Sequence, residues 1–75
     1  MGIPMTQLKP GQSGRVLELA QQGPARRRLL DLGMIRGTLV ARMFGSPIGD
    51  PICFRIRGAL IALRISDAEQ VRVDV

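Results

Sequence analysis

Between Ala25 and Val40 the spacing of apolar residues changes once, from helical to alternating, and this change restricts the fold more than any other stretch. Ala25, Leu29 and Leu32 fall at i, i+4 and i+7, which places them on one face of a helix. After Gly37 the pattern becomes a two-residue alternation that begins at Thr38-Leu39-Val40. Gly33 stands where a helix ends in a left-handed residue, a conformation that comes cheaply only without a Cβ. Gly37 stands where the chain turns into a strand. Pro24 suits the first helical position, where its missing donor costs nothing. A short helix held by its leucines therefore reverses directly into a strand, a hinge suited to a small barrel.

The other segments alternate. Ser13 to Ala20 reads as a first strand with Leu17 and Leu19 facing the core and Glu18 outward. Thr38 to Phe44 places Leu39, Ala41 and Met43 on one face and Val40, Arg42 and Phe44 on the other. The loop from Gly45 to Pro51 is rich in turn formers and long for a hairpin. Ile52, Phe54 and Ile56 point inward on the next strand, with Cys53, Arg55 and Arg57 outward. Gly58 makes a tight reversal, after which Ile61, Leu63 and Ile65 face inward. Ser66 followed by Glu69 reads as a capping box, and Val71, Val73 and Val75 form a closing strand. These elements predict a mainly β fold: a small SH3-like barrel of five antiparallel strands. One α-helix is inserted after the first strand, and a short helical turn precedes the last. Closure would leave no exposed edge. An OB-fold is disfavoured because its helix usually follows the third strand. Residues 6–75 form the single domain, and residues 1–5 read as a leader or disordered N-terminus.

Composition removes most chemistry. The 75-residue chain has no His and one Cys, so the commonest general base and metal ligand are both missing. Cys53 has no His neighbour to activate it, and its solitary state suits a reducing cytosol. No three N or S ligands can assemble a tight transition-metal site. The glycines lack phosphate-loop spacing. No cofactor, metal site or catalytic residue is expected, and no apolar run approaches the roughly 20 residues of a membrane helix. The net charge of +5 comes almost entirely from arginine, whose planar fork binds carboxylate and phosphate bidentately. Phe44 and Phe54 are the only aromatics. This argues against base stacking on nucleic acid and against an aromatic groove for proline-rich peptides.

What remains is a docking module. Its candidate partner-binding residues are Arg26, Arg27 and Arg28 for charge, Met34 and Ile35 at the helix exit, and Ile48 at the tip of the long loop. The plain alternatives are a solvated arginine face and core packing for Met34 and Ile35. Arg55, Arg57 and Arg64 offer a second basic patch.

Four motifs occur in register: Leu29-Leu30-Asp31-Leu32-Gly33-Met34, Arg36-Gly37-Thr38, Gly49-Asp50-Pro51-Ile52, and Gly58-Ala59-Leu60-Ile61-Ala62-Leu63-Arg64. With the Asp67-Ala68-Glu69 turn and Val71-Arg72-Val73 they resemble the FeoA family over residues 6–75. The resemblance implies an SH3-like barrel in the bacterial cytosol and a role in ferrous iron uptake. It also implies a protein partner, the FeoB-type membrane permease with its cytosolic G-protein region. The domain is similar as well to the C-terminal barrel of DtxR-type iron-dependent repressors, so a regulatory or nucleic-acid-associated role is the alternative. Weak self-association stays open as a third.

Overall fold

The structure, a computed structural model, describes residues 2–43 and 49–75. Six strands and two helices follow one another as β1 (Ile3–Pro4), β2 (Ser13–Leu19), α1 (Gly23–Asp31), β3 (Leu39–Arg42), β4 (Ile52–Ile56), β5 (Ala59–Leu63), α2 (Ile65–Ala68) and β6 (Val71–Asp74). A single 3-10 turn, Met5–Gln7, follows β1. All pairings are antiparallel, in the order β1-β6-β2-β3-β4-β5.

The sixth strand comes from residues expected to precede the domain. Ile3 pairs with Val73 and Pro4 with Arg72, and Met5 is fully buried. A two-residue strand has no period to read. Proline suits it, because an edge strand can omit a ladder donor. The sheet also differs from a closed barrel: β1 and β5 are its edges, and no pairing among the described residues joins them.

The alternation of β4 is observed as expected, with Ile52, Phe54 and Ile56 buried and Arg55 exposed. In β2 the core residues are Val16 and Leu19, three apart, which strict alternation forbids. A bulge between Val16 and Glu18 resolves the conflict. The extra residue, Leu17, drops out of the ladder, and Leu19 returns to the inner face. Leu17 lies over the N-terminal backbone instead, where a Cβ added to Gly2 would sit 2.7 Å from its Cδ1.

α2 also departs from its sequence reading. Its first residue is Ile65 rather than a residue after Ser66, and no side chain of its own caps it. The Ile65 N–H donates to Asp50 Oδ1 at 2.9 Å, so a carboxylate from a distant loop takes the capping role. Ala68, fully buried, fixes α2 against the core.

Candidate partner-docking surface on α1

The surface begins with how α1 ends. Leu32 is its C-cap, and Gly33 follows at φ +92°. The Gly33 N–H reaches the Leu30 carbonyl at 2.9 Å and the Met34 N–H reaches the Leu29 carbonyl at 3.0 Å. These two bonds make a Schellman motif, whose usual companion is an apolar contact between the flanking residues. Leu29 and Met34 fill that role, both fully buried. The following turn is pinned by Thr38 Oγ1 donating to the Gly33 carbonyl at 2.9 Å and by Arg15 Nη1 donating to the Gly37 carbonyl at 3.0 Å. Ile35, between these fixed points, is held outward with 51% of its surface exposed.

The arginine triplet separates into three different jobs. Arg26 Nη1 donates to the Leu19 carbonyl at 2.8 Å, tying the helix to the end of β2. Arg28 pairs with Asp67 at 2.8 Å, tying α1 to α2. Arg27 is exposed and no described residue takes its guanidinium. A cation in the first turn opposes the helix dipole by a few tenths of a kcal/mol, which the Arg26 bond to Leu19 offsets. Arg28 instead lies in the last turn, where its charge favours the dipole.

Of the remaining candidates, Met34 lies in the core and offers no surface, because the Schellman geometry turns it inward. Ile48 lies outside the described residues. The structure therefore brings Arg26 and Ile35 to one groove beside α1, leaves Arg27 on the helix face next to Leu30, and places Arg28 on the flank facing α2. Two neighbours were not read from the sequence. Leu30, 38% exposed, sits off the Ala25-Leu29-Leu32 stripe. Arg36 is exposed beside Ile35. The signal for Leu30 was present: an apolar residue off the buried stripe of a helix must meet solvent or a partner. A shallow groove runs between α1 and β2, bordered by Arg26, Leu30, Ile35 and Arg36 on one side and Leu17 and Glu18 on the other.

The groove is cationic and partly apolar, with two arginines, Arg26 and Arg36, and one carboxylate, Glu18, along it. Among the described residues no three His, Cys, Asp or Glu side chains converge on a point that could hold a metal ion. Cys53 is half-buried on β4, away from this groove. The arrangement can offer charge-assisted hydrogen bonds and apolar contact to a macromolecular surface.

The fold defines a class, the small SH3-like domain. The chain belongs to the FeoA family: the FeoA domain model matches residues 3–75. It is 25% identical over 71 residues to a Porphyromonas gingivalis Fe(2+) transport protein A/Fe(2+) transporter FeoB fusion protein, covering 95% of this chain and 8% of that one. The chain thus spans a small fraction of that relative's length. The solution structure of FeoA from Chlorobium tepidum is similar at 34% identity and a TM-score of 0.89, over 97% of this chain and 70% of that one. Stenotrophomonas maltophilia FeoA, crystallised with zinc and described as a procaryotic SH3 domain protein, is 29% identical at a TM-score of 0.82, over 99% of this chain and 89% of that one. Involvement in ferrous iron transport follows from this membership.

Proposed function

We propose that the chain is a non-enzymatic cytoplasmic accessory protein of ferrous iron uptake, which acts by docking on the cytosolic side of a FeoB-type permease. One observation carries the reading: in the P. gingivalis relative the matching segment is part of a fusion with FeoB. Covalent fusion holds two modules at an effective concentration near millimolar, a benefit realised when the two must meet. No helix among the described residues is long and apolar enough to cross a membrane, so docking would use the surface rather than an inserted segment. The surface for it is the rim of the α1 groove, with Arg27 and Arg36 as charges and Leu30 and Ile35 as apolar anchors. Iron is cargo of the permease in this reading, and the barrel need not hold it.

Co-purification with the full-length permease, with and without guanine nucleotide, tests the proposal. Arg27→Glu and Ile35→Asp are the informative variants, because neither side chain supports the fold. Each should weaken capture by about tenfold, roughly 1.4 kcal/mol, at unchanged melting temperature. Capture that ignores both variants would move the interface elsewhere, and absence of capture by the unaltered protein would end the proposal.

A further inference from the structure

The edge strand β5 runs past the C-terminal end of α1, where Arg28 and Leu32 border Ala62 and Leu63, and its chemistry is unlike that of most exposed edges. Natural edges are usually protected by a charge, a proline or a bulge within the strand. β5 reads Ala59-Leu60-Ile61-Ala62-Leu63, has none of these, and pairs with β4 without a register shift. Its backbone groups divide cleanly. The two-residue turn Arg57-Gly58, both at positive φ, closes on the pair Ile56 and Ala59, which exchanges hydrogen bonds in a hairpin of this kind. Ala59, Ile61 and Leu63 therefore spend their N–H and C=O groups on β4. The ladder on the other side of β4 agrees: Cys53 serves β3 there, its carbonyl accepting from the Met43 N–H at 3.1 Å. The N–H and C=O groups of Leu60 and Ala62 consequently point off the sheet.

The charged side chains along the outer face of this edge are arginines, and the nearest carboxylates, Asp50 and Asp67, stand beside its C-terminal end. Across the outer face, Ala41 pairs with Arg55 and Arg55 with Leu60. Leu60 is 62% exposed. Arg57 stands at the turn that opens β5 and Arg64 just past its end. Arg64 lies 3.8 Å from Asp50, while Arg55 and Arg57 have no acidic partner among the described residues. On the other face, Ile61 is partly buried and packs against the core.

We infer that β5 is a docking edge for an extended acidic segment of another polypeptide, which adds to the sheet as a further strand. Such a segment takes the four free backbone groups of Leu60 and Ala62, the mode known as β-strand addition. Its carboxylates lie on the face shared with Leu60, and its alternate apolar side chains extend the cover over Ile61. An added strand would lie about 10 Å from β4, two strand spacings away, a gap that an extended arginine and a glutamate bridge together. A second copy of the chain fits less well. Antiparallel self-pairing centred on Ile61 sets Leu60 opposite Ala62 and brings Arg64 of each copy against the Arg57-Gly58 turn of the other. Like charges placed together across a pairing are destabilising, and each copy already carries +5.

The test uses the full chain and a short peptide alternating glutamate and valine, with its lysine-for-glutamate counterpart as control. Amide exchange and chemical shifts are followed by NMR. The glutamate peptide should slow exchange at the Leu60 and Ala62 amides, which otherwise exchange freely, and the lysine peptide should not. Leu60→Pro removes an outward N–H without taking a ladder bond, so the fold should persist while peptide affinity falls at least about tenfold. Arg55→Glu should weaken binding to a similar degree with no change of fold. Equal binding of both peptides, or shifts confined to α1, would overturn the inference. So would a dimer of the free chain that Leu60→Pro dissolves, which would assign the edge to a second copy. Protection of the same amides by phosphatidylglycerol vesicles but not by the peptide would assign it to a membrane.

Discussion

At the residue scale, Arg42 shows how far a charged side chain can be drawn into structure. It lies on the strand face shared with buried Val40, and its Nη1 donates to the carbonyls of Leu8 at 3.0 Å and Thr6 at 3.3 Å. It thus holds the N-terminal turn that brings Met5 and Leu8 into the core. Hydrogen bonds from a charged donor contribute about 1.5–3 kcal/mol, so Arg42→Ala should lower stability by about 2 kcal/mol in chemical denaturation. A loss indistinguishable from zero would show that the turn holds without it. Gly33 is the second such residue. An alanine there must adopt φ near +92° and meet the Arg57 side chain. The side chain can move aside, so backbone strain dominates, about 1–3 kcal/mol, and Gly33→Ala should depress the melting temperature measurably. The sequence pointed to Gly33 because a helix end has a local signature. Arg42 was not legible, since nothing in its own neighbourhood says that residues 6 and 8 will lie beneath it.

At the scale of elements, alternation was a reliable guide wherever a strand was regular. Phe54, flanked by Ile52 and Ile56, is buried as the pattern requires. The pattern failed in β2 because the bulge at Leu17 is set by pairing with β6, some fifty residues on in sequence. It failed at α2 for a related reason: the cap is Asp50, from another loop, and a local Ser-to-Glu spacing mimicked the signal. Asp50→Ala should accordingly destabilise the protein by about 1 kcal/mol, the usual cost of a lost helix cap, whereas Ser66→Ala should cost far less. Equal effects of the two substitutions would restore the capping-box reading. α1 is tied at both ends, by Arg26 to Leu19 and by Arg28 to Asp67. The Arg28 side chain is largely solvated although Asp67 is mostly buried, and screening at the arginine limits the pair to about 0–1 kcal/mol. The candidate site was legible in part: Arg27 and Ile35 are exposed as a docking role requires. For Met34 the sequence leaves docking and core packing both open, and the Schellman turn decides for the core by turning the residue after it inward.

At the scale of the whole molecule, the 75 residues make a half-open barrel whose edge strands, β1 and β5, are not joined by any pairing among the described residues. Ten arginines do not act alike. Arg26, Arg28 and Arg42 tie elements of the fold together, whereas Arg27 and Arg36 face solvent, Arg27 beside Leu30 and Arg36 beside Ile35. A docking role for such a molecule predicts that binding and stability can be separated by substitution. The most direct measurement is a calorimetric titration of the cytosolic region of the FeoB-type permease with the unaltered chain and with Arg27→Glu. Saturable one-to-one binding, weakened about tenfold by a substitution that leaves the melting temperature unchanged, is the result expected. No heat of binding to the permease region at any accessible concentration, with or without guanine nucleotide, would contradict the account.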